Sequence, residues 1–108
     1  MTKRWKAILK GTDAAVYVLT HDDRDEDEVL RRLPRSEFSE ASNAHRGIAL
    51  EAITDYAMGR GLELKTFSEE VASTPRCWRE IACLIDFATA ERPFAISATV
   101  YERAIRVP

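Results

Sequence analysis

The sequence predicts an α/β domain in three layers, a small and mainly parallel sheet flanked by helices on both faces. Two observations carry this expectation. The run Ala14-Ala15-Val16-Tyr17-Val18-Leu19 is apolar at every position, which suits a central strand covered on two sides. Along the chain the periodicities alternate between strand and helix, an order that implies right-handed crossovers between parallel strands. The expected sheet has three strands in order 2-1-3, to which the N-terminal segment adds an edge.

The elements follow in order. Trp5-Lys6-Ala7-Ile8-Leu9-Lys10 reads as a strand hairpinned to the next, or as a short amphipathic helical stretch; the strand is preferred, with residues 1–13 an edge strand or an appendage. Gly11-Thr12-Asp13 is turn-prone and introduces the apolar run, which ends at His21-Asp22-Asp23. Asp22 to Glu28 holds six carboxylates and one arginine and leads into Val29-Leu30-Arg31-Arg32-Leu33. Acids first and arginines last match a helix macrodipole, and Pro34 would stop the helix. The alternative for this run is a divalent-cation site, but EF-hand spacing and a turn glycine are missing, so a solvated helix start is preferred.

From Ser39 or Ser42 as N-cap, the chain to Met58 reads as the longest helix, with Ala41, Ala44, Ile48, Ala52, Ile53, Tyr56 and Ala57 near one stripe. Gly59 and Gly61 can end it. Leu62-Glu63-Leu64-Lys65-Thr66-Phe67 alternates at period two and reads as a strand. Thr74 and Pro75 are suited to open another helix, whose apolar positions would be Trp78, Ile81, Ala82, Leu84, Ile85 and Ala88, ended by Arg92-Pro93. Phe94 to Tyr101 is strand-like, and Glu102-Arg103-Ala104-Ile105-Arg106 follows.

Composition sets the outer bounds. The 108 residues are 45% apolar and 31% charged, enough for one core and one domain spanning 1–108. Sixteen basic against 18 acidic residues give a net charge of −2, which argues against a generally cationic nucleic-acid or membrane binder and leaves that work to a locally clustered basic surface. No apolar run approaches a bilayer span, and the first residues lack the apolar stretch of a secretory signal, so the expected compartment is the cytoplasm and no membrane partner is expected. Cys77 and Cys83 have no CxxC spacing. On one helix they would point about 240° apart, so the expectation is two buried apolar side chains and neither a disulfide nor a zinc site.

No GxGxxG, P-loop, HExxH or GxSxG is present. His21 and His45 stand in different segments without a thiol or carboxylate at informative spacing and read as surface residues. What remains is spread over the chain: Ala14-Ala15-Val16-Tyr17-Val18, then Asp55-Tyr56-Ala57-Met58-Gly59-Arg60-Gly61-Leu62-Glu63-Leu64, then Glu69-Glu70-Val71-Ala72-Ser73, then the Arg-x-x-Arg of Arg103 and Arg106. In order and approximate spacing this pattern resembles the catalytic domain of the serine recombinases, the resolvase/invertase family, from about Ala14 to Arg106. The resemblance implies a resolvase-like α/β fold and a site that handles DNA phosphates.

The departures from that pattern shape the functional expectation. Leu19 stands where the family has an arginine, His21 where the nucleophilic serine would be, and Ala49 where it has a glutamine. Glu102 replaces an aspartate. Ser73, Glu70, Arg103 and Arg106 match the family's positions, and Arg76 stands for a further phosphate-contacting arginine. The family's further sheet, dimerising helix and DNA-binding domain have no counterpart in the 108 residues. Strand cleavage needs a hydroxyl nucleophile and several guanidiniums around the phosphorus. Thr20 as a displaced hydroxyl, or His21 attacking through nitrogen, is a weaker option without the neighbouring arginine.

The expectation is thus a degenerate resolvase-like domain, inactive in strand exchange, serving as an interaction or regulatory module in DNA recombination. Its partner would be a second copy of itself or an active recombinase, with DNA bound weakly if at all and no cofactor or metal. The alternative is a small phosphate- or ligand-binding domain unrelated to recombination, in which Arg103, Arg106 and Arg76 hold phosphate. A third option is a residual metal-dependent nuclease using the acidic run.

Overall fold

A computed structural model of the chain describes residues 1–11, 15–25, 35–70 and 78–103, with helix side chains from position 42 onward. Among these residues lie β1 (Thr2–Leu9), β2 (Ala15–His21), α1 (Arg35–Gly59), β3 (Leu64–Glu69), β4 (Trp78–Asp86) and β5 (Ile96–Arg103). The strands make one sheet in the order β3-β1-β2-β5-β4, and each neighbouring pair is antiparallel. This overturns the mainly parallel, three-layer α/β/α sheet of order 2-1-3, and with it the resolvase-like topology. The N-terminal strand is not an edge either, since β1 lies between β3 and β2.

Strand β4 accounts for much of the difference. The expected helix from Thr74 to Arg92 is extended chain throughout Trp78–Asp86. Its half-buried residues, Trp78, Ile81 and Leu84, fall at every third position, a spacing that mimics a helical stripe. The cause is an irregularity in the β4–β5 register between Glu80 and Ala82. A residue inserted there reverses which face the next side chains meet. With a strand in place of that helix, β4 pairs directly with β5, and β5 returns beside β2 in the opposite direction; the connection through α1 still carries the chain from β2 past β1 to β3.

The apolar run behaves differently from its expectation as well. In β2, Val16, Val18 and Thr20 are buried under the helix, whereas Ala15, Tyr17 and Leu19 are half-buried on the other face. No described element covers that second face. The run is apolar on both sides, but a single described layer packs on it.

Helix α1 lays His45, Ile48, Ala49, Ala52, Ile53 and Ala57 onto Trp5, Ala7 and Leu9 of β1, Val16 and Val18 of β2, and Ile96, Ala98 and Val100 of β5. These helix positions recur at three- and four-residue steps, one face of a 3.6-residue repeat. The helix ends in a Schellman motif: Leu62 N–H donates to Ala57 O at 2.9 Å and Gly61 N–H to Met58 O at 3.1 Å. Gly61 carries the positive φ of 66° that this turn requires, so it is the glycine that stops the helix. Beyond it the chain enters β3, whose Phe67 stacks on Trp5 with ring centroids 5.4 Å apart.

The expected helix between Asp22 and Leu33 lies mostly outside the described residues, as do Ser73, Arg76, Cys77 and Arg106. Cys83, expected to be buried, is an exposed thiol on β4. It pairs with Thr99 of β5, which places it on the face away from α1.

Candidate functional site

The structure does not draw the described site candidates together. His21 closes β2 on the face away from α1, where its Nδ1 lies 2.8 Å from the Thr2 hydroxyl and its ring is 57% exposed. Leu19 points to the same face, two residues back. Glu70 lies just past β3, its N–H bonded to Arg4 O at 2.8 Å. Glu102 is at the other end of the sheet and on the helix side. His21 pairs with Ser97 and Val16 with Glu102, so about 17 Å of strand separates His21 from Glu102. Arg103 is exposed next to Glu102 on the opposite face, across from Trp78.

Glu102 is occupied by its own neighbours. Tyr56 donates to Oε2 at 2.7 Å, Arg79 to Oε1 at 2.7 Å and Arg60 to Oε2 at 3.3 Å. The Arg60 guanidinium also sits 3.9 Å over the Tyr56 ring. Hydrogen bonds from Arg79 and Tyr56 hold the Glu102 carboxyl below its ordinary value, while burial and the facing carboxylate push the Tyr56 phenol up. This cluster ties the helix end to β4 and β5 and spends its charge internally.

A second polar cluster is buried and was not legible as a site. Asp22 and His45, the latter expected on the surface, have fully buried side chains. Thr20 is also fully buried. His45 Nε2 is 2.6 Å from Asp22 Oδ2, His45 Nδ1 is 2.8 Å from Thr20 Oγ1, and Trp5 Nε1 donates to Thr20 Oγ1 at 3.0 Å. Arg24 grips Asp22 through Nε at 3.0 Å, its second guanidinium nitrogen at 2.8 Å and its backbone N–H at 2.8 Å. The amino group of Met1 donates to Asp22 O at 2.8 Å and to Arg24 O. Burial alone would raise the Asp22 carboxyl, but hydrogen bonds from Arg24 and His45 outweigh it and hold the group well below the carboxylate range. An ionised Asp22 accepts only, so Nε2 of His45 carries the proton it donates. Burial pushes His45 down against the pull of Asp22; in the neutral ring Nδ1 accepts, and the Thr20 hydroxyl is its donor.

Hydroxyl, imidazole and carboxylate stand here in the sequence nucleophile, base and orienter. The chemistry stops at access. Thr20 is sealed beneath α1, its oxygen already receives the Trp5 N–H, and a nucleophile must reach its substrate. The arrangement is an internal brace between β1, β2 and α1. Among the described residues no group of three or more histidine, cysteine or carboxylate side chains is placed to hold a metal.

The brace predicts a pH response. The folded His45 lies below its unfolded value of 6.5, so the unfolded chain takes up the proton first. Stability is then fully present above about pH 6.5 and declines as pH falls through that value, by up to about 1.4 kcal/mol per pH unit for one proton. Asp22, also depressed from 3.8, adds a second loss below about pH 4. Protonated His45 would direct Nδ1–H at Thr20, turning that hydroxyl toward Lys3 O at 3.4 Å, and would add charge beside Arg24 and the Met1 amino group. Urea midpoints measured from pH 8 to 5 should fall below pH 6.5, and in His45→Gln that stage should be missing. A flat wild-type profile contradicts this account.

The face away from α1 is the remaining surface of interest. Side chains alternate along a strand, so the strand registers place Lys6, Tyr17, Tyr101 and Glu80 side by side across β1, β2, β5 and β4. Arg4 is beside Leu19 in the next row, and Trp78 beside Arg103 at the far end. Trp78 packs edge-on against Tyr17, centroids 4.5 Å apart at 77°. The charged residues of this face, among those described on or next to β1, β3, β4 and β5, are Arg4, Lys6 and Arg103 against Glu80 and Glu70, the last standing opposite Arg4 just past β3. The described residues thus form a two-layer antiparallel α+β domain with one open, basic and aromatic face. No protein-family model, no curated protein and no solved structure matches the chain.

Proposed function

We propose that the domain is a binding module without catalytic chemistry, and that it engages an anionic, phosphate-bearing partner on the sheet face away from α1. One observation carries the reading: three cations, Arg4, Lys6 and Arg103, stand among Tyr17, Tyr101 and Trp78 on one face, in a chain whose net charge is −2. Such local clustering is what a net acidic protein needs in order to attract polyanions. Arg103 keeps the phosphate-holding role that the sequence suggested, without the converging site of a recombinase. The retained part of the sequence expectation is binding without strand exchange.

Inorganic polyphosphate is the direct probe. Titration at low salt should give saturable binding that weakens steeply with added salt, and both Lys6→Glu and Arg103→Glu should reduce the affinity at least about fivefold through lost phosphate contacts. Binding unchanged in both variants, or absent, removes the proposal.

A further inference from the structure

We infer that the anionic partner is single-stranded nucleic acid, with bases stacked on Tyr17 and Tyr101 and phosphates held by Lys6, Arg4 and Arg103; this rests on the reading above that the face takes a polyanion. Tyr17 and Tyr101 are directly opposed on adjacent inner strands, β2 and β5. Directly opposed side chains have Cβ atoms about 5 Å apart, so their rings offer neighbouring stacking platforms. Trp78, edge-on to Tyr17, limits the directions in which that ring can turn. Lys6 flanks Tyr17 from β1, and Arg103 lies on the strand of Tyr101 two residues along. The cations therefore border the rings, where a backbone passing across the sheet would run. Neither Lys6 nor Arg103 has an ion-pair partner among the described residues.

Aromatic rings on an open sheet accept unstacked bases whatever their sequence, because each base has a π-face. A duplex keeps its bases stacked within itself and could use the cations but not the rings. Alternative occupants fit less well. The centres of protein interfaces are depleted in lysine and glutamate, while this face holds Lys6 and Glu80 in one row with Tyr17 and Tyr101. A second copy placed symmetrically would bring a surplus of positive charge against itself.

The test uses fluorescence anisotropy on the full chain with four labelled ligands: single-stranded DNA and RNA of about twelve nucleotides, an abasic oligomer of equal phosphate count, and a blunt duplex. The base-bearing strands should bind at least about tenfold tighter than the abasic oligomer and the duplex. Three phosphate contacts should give a slope of log affinity against log salt of about −2. Tyr17→Leu and Tyr101→Leu should each weaken the base-bearing strands by about 5- to 100-fold, leaving the abasic oligomer unmoved. Equal affinity for abasic and base-bearing strands overturns this inference and leaves the polyanion reading standing. No binding by either overturns both, and a preference for duplex overturns the single-strand assignment. The abasic comparison uses the unmodified protein, so it decides even if a tyrosine variant fails to fold.

Discussion

Asp22→Ala should destabilise the domain by about 3–5 kcal/mol, because removing one partner of a buried pair leaves the other charges uncompensated. Arg24 would lose at once the bidentate carboxylate partner of its guanidinium and the acceptor of its backbone N–H. His45 Nε2–H would lose its Asp22 acceptor and face a cavity under α1. Total stability of a domain this size is about 5–15 kcal/mol, so the variant would have little margin at 37 °C. Asp22→Asn should fall between: it preserves shape but puts an amide where two donors need an anion. Urea unfolding at pH 7.5 measures both. A loss under about 1 kcal/mol for Asp22→Ala would mean that the brace contributes nothing to the fold.

Trp5→Ala should cost a similar amount, about 3–5 kcal/mol, by a different route. Trp5 is 3% exposed, stacks on Phe67 and donates to Thr20. Truncation opens a cavity between β1, β3 and α1 and frees the Thr20 hydroxyl from one partner. Trp5→Phe separates the two effects, since it retains most of the packing and deletes only the donor. The thermal midpoint of Trp5→Ala should drop by more than about 10 °C, given the usual shift of several degrees per kcal/mol. A midpoint within a few degrees of wild type would mean the cavity collapses at little cost. Trp5 and Asp22 meet through Thr20 and His45, so the double variant should lose less than the sum of the singles.

Much of the local structure was legible from residue patterns. The strand read at Ala14–Leu19 overlaps β2, that at Leu62–Phe67 overlaps β3, that at Phe94–Tyr101 overlaps β5, and the long helix ends within a residue of Met58. Pairing direction was not legible, because an apolar run describes what touches a strand's faces and not which way its neighbours run. Strand β4 was concealed by its irregular register, which gave Trp78, Ile81 and Leu84 a three-residue spacing. For the site, Arg103 lies on the proposed binding face, whereas Glu102, one residue away, is turned to the helix side by strand alternation. His45 carried an unused signal: it precedes Ile48 by three and Ala49 by four, within the buried stripe. Thr20 carried another, alternating with Val16 and Val18. Asp22 carried none, since one buried carboxylate in an acidic run looks like the exposed ones around it.

The register irregularities leave a further mark at the sheet's two sides. One falls in the pairing of β1 with β3 and the other in the pairing of β5 with β4, and β3 and β4 are the outermost strands. Each outer strand is therefore kinked where a straight one would offer an unbroken row of amides and carbonyls to any passing extended segment. Lys65 adds an exposed charge on β3, and the ion-paired Arg79 and Asp86 keep the β4 rim hydrated. A sheet with one exposed surface could easily recruit strands at its borders and polymerise. Here the borders are blunted, which leaves the broad surface, with its rings and cations, as the face on which the proposed partner would dock.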